Sequence, residues 1–309
     1  MDVWLNGQFV GADSAAIPVF DAGFQHGVGL FETMHAEHGR VFRAREHVER
    51  LAESARILRM SERLHVDPLV EAVQRTVEHN SMDRARVRLT VTGGDLNMLQ
   101  STGASPQDPT VLVTCQPPTD YPGEFFTKGI GIVFAGGRLS PWTPEAGHKT
   151  LNYWPNILAL QEAAAQRAGE AVWLTPEANI ACGCVSNVFI VHDGTLVTPP
   201  ARNEEPCAVM PGITRAAVIE LAGSMNIPVE RRNVSVDDFL GADEVFLTNS
   251  SWHVLPVTSV LVRAGTGEQG EDGEPVVELQ PHAIGDRTVG DTTSDLRTAL
   301  LACIDRETS

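Results

Sequence analysis

Lys149 is one of two lysines among 309 residues, in the run Gly147-His148-Lys149-Thr150-Leu151-Asn152-Tyr153 just ahead of an alanine- and leucine-rich helix pattern. An amine placed where a loop enters a helix suits Schiff-base formation with a carbonyl cofactor. The Tyr153 phenol, four residues on, can hydrogen-bond an oxygen of a group held that way. Scarcity alone carries little weight, because the chain favours arginine over lysine throughout.

Three further segments suit an anion such as phosphate. Arg50, within Arg43-Ala44-Arg45-Glu46-His47-Val48-Glu49-Arg50-Leu51, offers a planar guanidinium; on an amphipathic helix the same residue is often a solvated surface cation. Met210-Pro211-Gly212-Ile213-Thr214-Arg215 sets free N–H groups and a hydroxyl at a helix start, where anions bind well. Proline and glycine there also serve ordinary helix initiation. Thr248-Asn249-Ser250-Ser251 ends a strand with hydroxyls and N–H donors, which a plain turn would also use.

The five cysteines, at 115, 182, 184, 207 and 303, are an odd number in a large chain without export features, so no disulfide framework is expected. Cys182-Gly183-Cys184 resembles half a metal site, but no second pair stands at ligand spacing, and no metal is expected. His35, His38 and His47 share no ligand spacing and read as surface residues.

The elements that must position these residues are legible in part. Asn6-Gly7 between short apolar runs predicts a hairpin, and a second is predicted over 29–42, turning at His38-Gly39. Helical spacing covers 43–59, with Val48, Leu51, Ala55 and Leu58 on one side, and then about 67–80. Strands follow near 85–92 and 110–115. Gln116 to Gly123, with three prolines in eight residues, is the best linker. Beyond it come a strand near 129–135, a helix near 153–168, and short strands near 170–174, 179–181, 187–192 and 195–198. A helix from Pro211-Gly212 to about 225, a strand near 228–232, an acidic helical turn near 236–240 and a strand near 244–248 close the core. Residues 264–278 read as a polar loop. This mixed order, with neither βαβ alternation nor a nucleotide glycine fingerprint, predicts an α+β fold in two domains, 1–118 and 119–309, the second carrying Lys149.

The formal charge of −17 with no basic patch argues against general nucleic-acid binding. No 18-residue apolar stretch exists, and Met1 to Gly7 lacks the regions of a signal peptide, so no membrane span and a cytoplasmic location are expected.

Together the segments resemble the fold-type IV pyridoxal-phosphate enzymes, the class IV aminotransferase family of branched-chain aminotransferases, D-amino-acid aminotransferases and aminodeoxychorismate lyases. The matching fragments run in the family's order over roughly residues 3 to 260. They are Asn6-Gly7, Asp21 to Thr33, the Arg50 helix, Lys149 to Tyr153, Ser186-Asn187-Val188-Phe189, Pro211 to Arg215, Ala242 to Phe246 and Pro256-Val257. The resemblance implies two α+β domains with pyridoxal 5′-phosphate between them, in a homodimer acting on amino-acid and keto-acid substrates. It gives Lys149 the Schiff-base role and the transfer of the α-proton, and Tyr153 the contact to the pyridine hydroxyl. It assigns the phosphate to Arg50, Ile213, Thr214 and Ser250. His26, Phe31, Arg88 and Ser251 fall on the substrate side, with Arg86 and Arg88 alternating with apolar residues in a way that also suits a solvent face.

The sequence departs from the family at Cys182, where a glutamate normally keeps the pyridine nitrogen protonated; a neutral thiol is a poor substitute. The nearest glutamate in sequence, Glu177, is read on the preceding hairpin strand, five residues away and so on the opposite face. The leading expectation is an aminotransferase for a small or branched apolar amino acid. The alternatives are an aminodeoxychorismate-type lyase releasing pyruvate, and a non-catalytic descendant that keeps the cofactor-binding fold.

Overall fold

The computed structural model describes residues 1–62, 64–94, 109–269 and 275–309. By internal contact the chain divides into two units: Met1–Asp120 with His148–Tyr153 and Leu301–Ser309, and Tyr121–Gly147 with Trp154–Leu300. Both mix helix and sheet. The segment of Lys149 therefore packs within the N-terminal unit although it follows the proline-rich 116–123 stretch in sequence.

The first unit opens with β1 (Asp2–Leu5) and β2 (Gln8–Gly11), joined through Asn6 at φ 47° and Gly7 at φ 96°. Two successive positive φ angles make the tight turn whose twist matches the flanking strands. A short helix α1 (Ala22–His26) precedes β3 (Gly29–Glu37), which turns at His38 and Gly39 into the two-residue β4 (Arg40–Val41). The amphipathic helices α2 (Ala44–Ile57) and α3 (Val66–His79) follow, then β5 (Ala85–Thr92) and β6 (Val111–Gln116). The six strands order as β2-β1-β6-β5-β3-β4. Alternation along β3 and β5 sends Leu30, Glu32 and Met34, with Val87, Leu89 and Val91, toward the buried faces of α2 and α3. Phe31 and Thr33, with Arg88 and Thr90, take the other face. That split places one carboxylate on the helix side of β3 and an aromatic ring on its reverse.

The second unit runs α4 (Glu124–Thr127), β7 (Ile130–Arg138), α5 (Trp154–Ala165), β8 (Glu170–Leu174), β9 (Ile180–Gly183), β10 (Asn187–His192) and β11 (Thr195–Thr198). It continues through α6 (Ile213–Ser224), β12 (Val229–Arg231), α7 (Val236–Leu240), β13 (Glu244–Asn249), β14 (His253–Gln269), β15 (Pro275–Ala283) and α8 (Asp291–Thr308), whose last residues belong to the first unit. The sheet orders as β12-β11-β10-β13-β14-β7-β8-β9, with β15 on β14. One core joins Ile132, Val172, Ile190, Leu247 and Val260 to Phe239 of α7, and another packs Ala159 and Ala163 of α5 on Ala171 and Trp173.

Residues 264–278 differ from the expected polar loop. β14 extends to Gln269 and β15 begins at Pro275, paired from Ser259↔Ala283 onward; residues 270–274 lie outside the described residues. Backbone pairing, which composition does not reveal, carries these polar residues as strand. The helix α8 also lies beyond the pattern read from sequence.

Candidate active site

The Lys149 segment is held against the first half of β3, where the two-residue β4 leaves the strand edge open. Phe31 N–H donates to the Lys149 carbonyl at 3.0 Å, Leu151 N–H donates to the Gly29 carbonyl at 2.9 Å, and Leu30 bridges Thr150. The approach requires glycine at 29, since a Cβ there would sit 2.5 Å from Leu151 Cδ1 and 2.8 Å from the Val91 carbonyl oxygen. His148 Nδ1 shares a hydrogen bond of 2.9 Å with Ser54 Oγ on α2.

This pinning sets the Lys149 amine 4.5 Å from the Phe31 ring centroid and 5.8 Å from that of Tyr153. The two rings meet edge to face at 5.3 Å. Burial pushes the Lys149 amine down to about 8; Glu32 opposes that, and Arg50 and Arg88 add to it. Roughly a tenth of the amine is therefore uncharged at pH 7, where an ordinary lysine has almost none.

Behind β3, buried Glu32 receives Arg50 Nε at 2.8 Å and Nη2 at 2.5 Å, and His47 Nδ1 at 2.8 Å. Burial alone would raise the Glu32 carboxyl, but Arg50 and His47 hold it at about 2. His47 is pushed down by burial, against the pull of Glu32, so the neutral ring donates through Nδ1. Neither His47 nor His35 is the surface residue expected from sequence: both are buried, and only His38 of the three is exposed. The missed signal was periodic. His47, Arg50 and Ser54 recur at helical spacing on the same buried side of α2 as Val48, Leu51 and Ala55.

Arg88 lies over the reverse face of β3, its Cζ 3.8 Å from the Phe31 centroid and its Nε 3.2 Å from Thr90 Oγ1. Burial, then Arg86, lowers its pKa, and no carboxylate among the described residues pairs with it. Around Lys149 there is thus one carboxylate, already bound by Arg50, against two guanidiniums and the lysine. Among the described residues this excess of positive charge, buried at Arg50 and half-buried at Arg88 and Lys149, is the electrostatic setting an anionic cofactor such as pyridoxal phosphate fits. His26 stands apart, exposed at the end of α1.

In the second unit, Cys182 pairs with Trp173 across β9 and β8. Burial pushes its thiol up to about 12, with Glu170 and Cys207 adding to the effect, so it stays neutral. Glu170, overlooked in the sequence, is fully buried on β8. Its carboxyl accepts from Ala171 N–H at 3.0 Å, Val185 N–H at 3.4 Å and Ser186 Oγ at 3.2 Å. Burial pushes Glu170 up to about 7 against those hydrogen bonds. Glu177 is not on a strand as expected; it is exposed in the turn between β8 and β9.

Ile213 and Thr214 open α6, whose N-cap Gly212 supplies no side-chain acceptor. Asn187 Nδ2 donates to the Met210 carbonyl at 2.9 Å, and a Cβ on Gly212 would collide with Asn187 Oδ1. Arg215 is buried and turned to Glu204 at 2.8 Å and to the Pro199 carbonyl at 3.0 Å, tying down the loop before α6. Ser250 and Ser251 follow β13, where Asn249 Oδ1 accepts from Ser251 N–H at 2.8 Å and Trp252 N–H at 3.0 Å. Among the described residues, no group of three His, Cys, Asp or Glu could hold a metal, and no helix is long and apolar enough to cross a membrane.

The profile of the amino-transferase class IV family matches residues 29–260, from the start of β3 into β14. The chain belongs to this family. Class IV aminotransferases are pyridoxal-phosphate enzymes, and this one is 32% identical over 279 residues to the branched-chain-amino-acid aminotransferase of Escherichia coli, covering 87% of this chain and 88% of that protein. The crystal structure of the Escherichia coli branched-chain amino acid aminotransferase superposes with a TM-score of 0.85 at 28% identity, covering 100% of this chain and 96% of that one. The D-alanine aminotransferase of Staphylococcus epidermidis is 27% identical over 272 residues, 88% of this chain and 92% of that protein. The 4-amino-4-deoxychorismate lyase of Pseudomonas aeruginosa superposes with a TM-score of 0.79 at 26% identity, covering 98% and 99%.

Proposed function

We propose that this class IV aminotransferase uses pyridoxal 5′-phosphate to move the amino group of an amino acid with a small or branched apolar side chain onto a keto acid. The observation that carries the reading is Lys149, fixed on β3 as an amine of lowered basicity near Arg50, Arg88 and Glu32. The cofactor supplies the electron sink for deprotonating the amino acid at its α-carbon.

The remaining work falls to residues of this chain. Lys149 holds the cofactor through its amine and, once released, carries the proton to and from the α-carbon. Arg50, kept in place by Glu32, would take the phosphate, a role the resemblance also gives to the Ile213 N–H, Thr214 and Ser250. Tyr153 would donate its phenol to the ring hydroxyl, and Cys182 would stand where the family's glutamate meets the ring nitrogen. Arg88 offers its charge to a substrate carboxylate, Phe31 gives an apolar wall, and Ser251 and His26 complete the substrate side. The substrate class follows that of the Escherichia coli branched-chain-amino-acid aminotransferase.

A second reading rests on Cys182. A neutral thiol there weakens the electron sink, which favours elimination over transamination, and the Pseudomonas aeruginosa lyase shares the fold. Product analysis separates the two: a keto acid with aminated cofactor, or pyruvate with an aromatic amine.

A homodimer in the cytoplasm completes the proposal. Val19, Phe20 and Phe24 in the first unit, and Trp142 and Trp154 in the second, are large apolar side chains left exposed, as partner-covered residues are. A monomeric mass in light scattering would contradict it.

A further inference from the structure

Two buried side-chain polar atoms, the Thr248 hydroxyl and the Trp252 indole nitrogen, have no hydrogen-bond partner among the described residues. Thr248 is 1% exposed, so solvent does not serve it. A buried hydroxyl left this way is unfavourable unless something outside the chain completes it.

Its position says what that is. Thr248 of β13 lies directly opposite Asn187 of β10, so both side chains leave the same face of the sheet about 5 Å apart. The Asn187 carboxamide reaches from that face to the Met210 carbonyl and the Cα of Gly212, at the first turn of α6. The helix is twelve residues long, packs on β13 and has no side-chain cap. Its first N–H groups therefore have neither an intrahelical acceptor nor a capping oxygen. The Asn187 Nδ2 donor is committed to the Met210 carbonyl, which ties the turn before α6 to β10.

We propose that the Thr248 hydroxyl donates a hydrogen bond to an anion seated at the start of α6. Resting on the function proposed above, that anion is the phosphate of the cofactor. Asn187 is then a positioning residue that fixes the turn carrying the Gly212–Ile213 amides. In the sequence Thr248 only opens the Thr248-Asn249-Ser250-Ser251 segment, where the resemblance gives the phosphate contact to Ser250.

The test uses the full chain, freed of cofactor and titrated with pyridoxal phosphate and with pyridoxal, which lacks the phosphate. Thr248→Val keeps the shape and removes the donor, and Thr248→Ser keeps the donor. Thr248→Val should bind pyridoxal phosphate about tenfold more weakly and pyridoxal as tightly as the unaltered protein. Thr248→Ser should stay within about threefold for both. The cofactor-free Thr248→Val protein should melt no lower than the parent, since it loses an unpaired polar group. Unchanged affinity in Thr248→Val, or equal weakening for both compounds, overturns the proposal while the function stands. A parent protein that binds neither compound overturns both.

Discussion

Glu32 and Arg50 are joined by two parallel hydrogen bonds, Nε to Oε1 and Nη2 to Oε2, with both side chains buried and the His47 ring donating to the same carboxylate. The arginine that the phosphate assignment requires is thus oriented before any ligand arrives. Glu32→Gln should cost about 3 kcal/mol of stability by leaving a guanidinium buried without its charge partner. It should also weaken pyridoxal phosphate binding at least about tenfold, through the loss of orientation. Denaturant unfolding and a cofactor titration check the two effects.

Stability should respond to pH in opposite senses through two buried glutamates. Glu32 is lowered from 4.5 to about 2, so its contribution is complete above 4.5 and lost as pH falls toward 2. Glu170 is raised from 4.5 to about 7, so its contribution is complete below 4.5 and lost as pH rises through 7. Glu170→Gln should therefore flatten the fall in melting temperature between about pH 4.5 and 7.5. An unchanged slope would count against a buried, protonated Glu170.

Lys149 should capture pyridoxal phosphate with a rate that rises through about pH 8 and levels above it. An ordinary lysine would still be gaining at pH 10. Stopped-flow absorbance across pH gives the profile, and Lys149→Ala should abolish the capture.

Cys182→Glu should raise the rate of transamination by supplying the charge that a thiol of pKa about 12 lacks. Half-reactions with a single amino acid, followed by absorbance, measure it directly. An unchanged or lower rate would sink the idea that Cys182 restrains the reaction.

Arg88→Leu should raise the KM for amino and keto acids about tenfold or more while leaving the bound cofactor's spectrum as it was. Equal loss of cofactor would move Arg88 out of the substrate role.

Much of the fold was legible because its signals are local. Asn6-Gly7 and His38-Gly39 fix two hairpins through positive φ, and β8, β10, β11 and α7 fall where short apolar or acidic runs put them. Lys149, Tyr153 and Arg50 were legible as types at suggestive places. What was not legible is tertiary. Glu32 lies 18 residues before Arg50 and looks like any polar residue in a strand until α2 folds over it. Glu177 is nearer to Cys182 in sequence but exposed in a turn, whereas Glu170, farther away in sequence, is the buried one. The far end of the β14–β15 hairpin hides in a polar stretch of sequence without alternation, where backbone pairing is the signal and composition does not carry it.

The most direct test of the account is the visible absorbance of the purified, cofactor-loaded protein before and after a panel of L- and D-amino acids, with Lys149→Ala alongside. The account predicts that a branched or small apolar amino acid converts the bound cofactor to its aminated form, that a keto acid restores it, and that the variant does neither. A cofactor band that no amino acid in the panel shifts would contradict transamination by this chain.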